Sequence, residues 1–116
     1  AHNPHGARAL AGWLAEQRLP VHLVTAMLDS KDPEGFFAEL AGRVATVRTV
    51  PVPGGHNGLD PATLADTAAR AGHKAKSAAD PAAAIADIVA EAGSGPAMLL
   101  IAGSLYLAGA VLAENS

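Results

Sequence analysis

Cysteine is absent from the 116 residues. That excludes disulfide staples and thiolate-held metal sites. Aromatic residues are scarce, with two Phe, one Tyr and one Trp, so helices must pack on whatever they cover through small aliphatic side chains. No basic block offsets the net charge of −3, which argues against a nucleic-acid surface. No apolar run approaches the roughly 20 residues that span a bilayer. The polar N-terminus starts at a helix cap and carries no signal-peptide pattern. Long repeats and internal linkers are missing as well. These absences leave one domain, with enough chain to bury roughly two thirds of its unfolded surface. A soluble, cytoplasmic protein is the expectation, with no nucleic-acid and no membrane partner.

Several catalytic signatures are also missing. There is no Gly-rich loop followed by Lys-Ser or Lys-Thr to cradle phosphate, and no dinucleotide fingerprint. Gly93-Ser94-Gly95-Pro96 precedes an apolar run instead of following one. No Ser-His-Asp order and no carboxylate pair stands out. No set of carboxylates at ligand spacing surrounds His2 or His5, so no metal site is expected.

What is present is organised around residues 97–114. Met98 to Ala102 form an unbroken apolar run closed by Gly103-Ser104, the pattern of a parallel strand buried on both faces. Leu105, Leu107, Ala108, Val111 and Leu112 then recur at helical spacing, which predicts a closing helix. Four steps of one kind start helices earlier in the chain: Asn3-Pro4, Asp32-Pro33, Asp60-Pro61 and Asp80-Pro81. In each, a side-chain oxygen can accept from orphan amides, and proline lacks the amide that would be unsatisfied. The first helix runs from Pro4 to about Gln17 and buries Ala7, Leu10, Ala11 and Leu14, with Trp13 off that stripe. The second carries Phe36, Phe37 and Leu40 and ends at Gly42. The third buries Leu64, Ala65 and Ala68 and closes on Gly72, and the fourth buries Ile85, Ile88 and Val89. Strands are predicted over Val21–Met27, over Val44–Val52 (where Arg48 marks a partly exposed face), and over His73–Ala78, an edge marked by Lys74 and Lys76.

This alternation predicts an α/β fold: a Rossmann-like, mainly parallel sheet with helices on both faces and right-handed crossovers. The chain opens on a helix where such folds usually open on a strand. A first strand upstream of Ala1 is therefore expected, making these residues a fragment of a longer enzyme. Its loss would leave a central slot or an exposed edge, and a fragment dimer is one way to cover it.

In this topology the strand-to-helix loops share one rim, where open sheets bind ligands. His2-Asn3, Lys31-Asp32, His56-Asn57 and Gly103-Ser104 gather there. Each has a plain structural reading beside a functional one. His2 follows an expected strand end, while His5 reads as a solvent-facing helix start. Asp32 is explained as a cap, and Lys31 is either solvated or a phosphate or carboxylate contact. His56-Asn57-Gly58 reads as a turn. Ser104 is a helix cap or a carboxylate ligand beside free amides. Tyr106 reads more readily as packing than as chemistry.

Three of these stretches together resemble one family. Ala1-His2-Asn3-Pro4, followed by Gly6-Ala7, is similar to the Asp-Gly-Ala-His-Asn-Pro motif that opens the C-terminal domain of the folylpolyglutamate synthase/dihydrofolate synthase family, within the Mur ligase superfamily. Met27-Leu28 with Lys31-Asp32-Pro33 resembles its second loop, and Gly103-Ser104-Leu105-Tyr106-Leu107 its Gly-Ser-Leu-Tyr motif. The order and spacing agree along essentially the whole chain. Departures are the absent Asp-Gly ahead of Ala1, Ser30 where the family commonly has Asp, and Ala26 where it commonly has Gly.

The resemblance implies an ATP-dependent ligase of folate biosynthesis that joins L-glutamate to dihydropteroate or a folate. Residues 1–116 would be its glutamate ligase domain. It further implies substrate- or nucleotide-binding roles for His2, Asn3, Lys31, Asp32, Ser104 and Tyr106. ATP and magnesium would be held mainly by a separate N-terminal ATPase domain, so the fragment alone is expected to be inactive. A stand-alone α/β ligand-binding or interaction module is the alternative. A Mur ligase acting on peptidoglycan precursors is a third reading.

Overall fold

The computed structural model describes residues 4–27, 32–52, 58–93, 96–103 and 107–112. In chain order the elements are α1 (Pro4–Ala15), β1 (Val21–Ala26), α2 (Pro33–Glu39), β2 (Thr46–Thr49), α3 (Pro61–Arg70), β3 (Ala75–Ser77), α4 (Pro81–Ala92), β4 (Ala97–Gly103) and β5 (Leu107–Leu112). The Asp-Pro steps act as anticipated. Asp32, Asp60 and Asp80 accept from the backbone N–H of Gly35, Thr63 and Ala83 at 3.1, 3.0 and 2.8 Å. Each bond satisfies an amide that the first helical turn leaves orphaned. The fourth step, at Asn3, lies outside the described residues. At their far ends α2 and α3 run into Gly42 and Gly72, whose φ of 77° and 99° is open to glycine at little steric cost.

The strands form one sheet in the order β3-β2-β1-β4-β5. The first four run parallel, with Leu23 level with Val47 on one side and Leu100 on the other. β1 and β4 pair directly from Val21↔Met98 to Ala26↔Gly103, so the sheet has no central slot between them. β3 is short and lies at the edge, as its lysines indicated.

β5 is a correction to the sequence reading. The helix expected over residues 105–112 is replaced at 107–112 by a strand antiparallel to β4, in register from Ala97↔Leu112 to Ala102↔Leu107. Local spacing favours a helix, but the outer edge of β4 would otherwise leave its peptide groups without partners. Pairing along that edge outweighs the local preference.

Alternation along the strands divides the core. Val21, Leu23, Val47, Leu100 and Ala102 pack with Leu10, Ala11 and Leu14 of α1, Phe36 and Phe37 of α2, and Leu64 and Ala68 of α3. On the opposite face Val24, Ala26, Val50 and Leu99 pack with Ala84 and Ile88 of α4. Among the described residues three helices thus cover one face and one helix the other. Phe37 and Leu40 are wholly buried, and each such side chain contributes about 1.5–3 kcal/mol relative to exposure. Two further expectations change. Val89 is 50% exposed, its place in the α4 stripe taken by Ala84, and Arg48 is buried instead of marking an exposed face.

Candidate functional site

Four parallel strands must end on the same rim, and their register fixes which ends are neighbours. Ala26 at the end of β1 is level with Gly103 at the end of β4, Thr25 with Thr49, and Thr49 with Ser77. The chain therefore leaves toward Lys31-Asp32 and toward Ser104-Tyr106 from adjacent strand ends. The second crossover returns to the same place, because Leu59 N–H donates to Met27 O at 2.8 Å.

Of the six residues given binding roles, Asp32 is described. It is exposed and caps α2, as the plain reading held. Gly35 makes this possible: a Cβ there would collide with the Asp32 carboxylate. His2, Asn3, Lys31, Ser104 and Tyr106 lie outside the described residues, as do His56 and Asn57.

The electrostatics of the described rim are set by the caps. Three of the described helices that start there, α2, α3 and α4, each already hold an aspartate carboxylate against their first-turn amides. An incoming anion would have to displace or approach those carboxylates, so these helix starts are not free anion seats. Among the described residues no group of three or more His, Asp or Glu could hold a metal ion. A cleft of about 500 Å³ between α2 and α3 is lined by Asp32, Glu34, Gly35, Ala38, Thr67, Arg70 and Ala71. Its single described cation, Arg70, donates to Thr67 Oγ1 at 3.1 Å. The cleft belongs to the helical layer, and Asp32 is its one link to the rim.

A buried polar cluster beneath α4 is absent from the sequence reading. Arg48 donates from Nη2 to Glu91 Oε2 at 2.6 Å and from Nη1 to Val47 O at 3.2 Å, and its Nε stands 3.7 Å from Asp87 Oδ2. Beside it, His22 Nδ1 bonds Thr46 Oγ1 at 2.7 Å. Burial pushes the His22 pKa below its ordinary 6.5; nearby Glu91 opposes that shift and Arg48 adds to it. A signal was available: Asp87 and Glu91 are four apart on one helix face, and an arginine in a Val/Thr strand needs such a partner. His73 is a second buried imidazole. Its Nε2 donates to Phe37 O at 2.8 Å, and its ring meets the Phe37 ring edge-on. Arg48 ties β2 to α4, His22 joins β1 to β2, and His73 ties the segment ahead of β3 to α2. Thr25 Oγ1 is a buried hydroxyl with no partner among the described residues.

Comparison with known proteins follows the geometry. The family described as Mur ligase, glutamate ligase domain, matches residues 1–105. No curated protein sequence matches the chain. Among solved structures, folylpolyglutamate synthase of Mycobacterium tuberculosis, complexed with ADP and AMPPCP, is 30% identical with a TM-score of 0.69, covering 79% of this chain and 21% of that one. The ligand-free bifunctional folylpolyglutamate synthase/dihydrofolate synthase of Yersinia pestis is 30% identical with a TM-score of 0.70, covering 89% of this chain and 24% of that one. A bifunctional synthase of the same description, with Mn, AMPPNP and L-glutamate bound, is 31% identical with a TM-score of 0.61, covering 76% and 21%. The chain thus spans less than a quarter of the length of these proteins.

Proposed function

Because the chain belongs to the Mur ligase family, as its glutamate ligase domain, we propose that it is the glutamate-handling lobe of an ATP-dependent folate ligase. In that reaction a carboxylate oxygen of dihydropteroate, or of a folate's terminal glutamate, takes the γ-phosphoryl group of ATP, and ADP leaves. The amine of L-glutamate then attacks the acyl carbon. The carbon–oxygen bond to phosphate breaks, an amide forms, and the nitrogen gives up a proton.

The lobe contributes position. His2, Asn3, Lys31, Asp32, Ser104 and Tyr106 are assigned to the glutamate and phosphate side of a cleft at the rim. Holding the amine against the acyl phosphate makes attack effectively unimolecular, and cationic or N–H donors offset the charge on the transferred group. The single observation that supports this is the register Ala26↔Gly103, which starts the Lys31-Asp32 and Ser104-Tyr106 segments side by side. Nucleotide and magnesium are assigned, as the family resemblance implies, to an N-terminal ATPase domain of a longer, cytoplasmic polypeptide.

The test is an ADP-release assay on the polypeptide that carries this chain, with L-glutamate and alternative acceptors. Release with dihydropteroate or tetrahydrofolate is expected. Release with peptidoglycan precursors alone, or none with any acceptor, would overturn the folate assignment. Residues 1–116 alone should show no glutamate-dependent ATP hydrolysis.

A further inference from the structure

The rim chemistry leaves the buried cluster beneath α4 unused. That cluster lies under a lightly held helix. Along its 12 residues α4 buries Ala84 and Ile88, whereas α3, with 10, buries Leu64, Ala65, Thr67 and Ala68. In the last turn of α4, Val89, Ala90 and Glu91 are exposed and Ala92 is half-buried. That turn is fastened by the bond from Arg48 Nη2 to Glu91 Oε2 at 2.6 Å, not by apolar burial. Segments with few buried apolar side chains open at less than the free energy of global unfolding.

What lies beneath is a titratable group. His22 is 5% exposed and shares a strand face with Val24. Val24 packs with Ala84 and Ile88, and α4 is the one described helix over that face. Lifting α4 therefore gives both His22 and Arg48 to water. The charges around His22 come from three elements. α4 brings Asp87 and Glu91, β2 brings Arg48, and β3 brings the exposed Lys76, level with Arg48. β4 brings the uncharged Leu99, level with His22, and β2 also supplies the Thr46 hydroxyl on Nδ1.

Both acids are engaged elsewhere. Glu91 is bonded to Arg48, and Asp87 Oδ2 stands 3.7 Å from Arg48 Nε, a buried nitrogen with no hydrogen-bond partner among the described residues. A proton on His22 would sit beside a fixed guanidinium, shut from water, with no carboxylate of its own among the described residues. Burial and Arg48 oppose that charge, and Glu91 favours it without outweighing them. With α4 lifted, water receives the charge. The lifted state therefore binds the proton more tightly, and by linkage the proton favours the lifted state.

We propose that His22 is a proton-operated release for α4: as pH falls the helix lifts from its face of the sheet, while α1, α2 and α3 stay packed on the other. The opposite layer is insulated from the switch. Its core is built from Leu10, Leu14, Phe36, Phe37 and Leu64, on the face that His22 does not share.

The experiment is native-state hydrogen exchange of the chain at about pH 7.5 and about pH 5.5, corrected for the intrinsic pH dependence of exchange. Peptides covering α4 and α3 are followed. Opening of α4 should rise at the lower pH by up to about tenfold, the ceiling for an imidazole of ordinary pKa one unit above the solution. Opening of α3 should stay level. His22→Gln keeps a side-chain amide for Thr46 and should abolish the α4 response. Equal α4 protection at the two pH values would overturn the proposal, and so would α3 and α4 losing protection together, or a response that survives in His22→Gln. Should that variant not fold, the parent still decides. Its α4 response must share a midpoint with the His22 ring followed by NMR, and two separate midpoints overturn the proposal. No readout uses ligase activity, so this inference can fail while the folate assignment stands.

Discussion

Removing Glu91 should expose how the single helix on its face is fastened. Arg48 emerges from the middle of the sheet with its side chain 2% exposed, and its shortest bond runs to Glu91 Oε2 at 2.6 Å. Glu91→Ala leaves the guanidinium with Val47 O at 3.2 Å and Asp87 at 3.7 Å. Breaking a fully buried pair from one side costs about 3–5 kcal/mol. The Glu91 side chain is 42% exposed, so water reaches the carboxylate end and can enter once it is gone. The expected loss is therefore smaller, about 2 kcal/mol. Asp87 is 59% exposed and 3.7 Å away, so Asp87→Ala should cost less than about 1 kcal/mol. Glu91→Gln keeps an acceptor and should fall between the two. Arg48→Met combined with Glu91→Leu replaces the pair with apolar volume and should recover most of the loss. Urea unfolding of the chain measures all four. The reasoning fails if Glu91→Ala lies within about 0.5 kcal/mol of the parent, the ordinary range for a surface change. It fails equally if Asp87→Ala proves the costlier single change.

Three other outcomes follow from the same geometry. The His22 pKa is lowered by burial, so below pH 6.5 the unfolded chain binds the proton more readily. The stability His22 contributes is intact above 6.5 and shrinks as pH falls toward the lowered value. His22→Gln should flatten the urea midpoint between about pH 7 and about pH 5 relative to the parent, and an unchanged slope would count against a buried imidazole. Gly35→Ala forces the Asp32 carboxylate off its cap, costing about 1 kcal/mol. In an Asp32→Ala background that cost should vanish, which a double-mutant cycle reads directly. In the polypeptide that carries the chain, Lys31→Ala should raise KM for L-glutamate by about tenfold or more if its ammonium holds a substrate carboxylate. An unaltered KM would return Lys31 to solvent.

The helix starts were legible because Asp-Pro is a local device. Asp32, Asp60 and Asp80 need nothing beyond their next three residues to act. The four parallel strands were legible for a similar reason: β1, β2 and β4 are short apolar or Val/Thr-rich runs between such starts, and β3 is a short edge segment marked by lysines. What eluded the sequence depends on partners far along the chain. Arg48 reads as exposed until α4 is laid across it, because the acids that neutralise it come 39 and 43 residues later. Residues 107–112 carry a helical spacing, and the strand they form is set by the unpaired edge of β4. Val89 belongs to an apolar helix stripe, but the small Ala84 brings α4 against the sheet and leaves Val89 outside. Of the proposed site, the shared rim was legible from alternation alone, whereas the adjacency of the β1 and β4 ends was not. The side chains assigned to it, Asp32 apart, lie outside the described residues, and periodicity carries no information about them.

α2 and α3 each depart from an aspartate-capped rim and return through a glycine with positive φ. The two lips of the sheet are therefore open to change on different terms. At the departing lip, Asn, Ser or Thr can stand in for a capping aspartate at modest cost, leaving charge there free to be retuned. At the returning lip the positive φ of Gly42 and Gly72 strains most other side chains, with asparagine the least affected. New recognition can accordingly be grafted onto the first lip, while the second serves as the fixed hinge line against which such grafts are built.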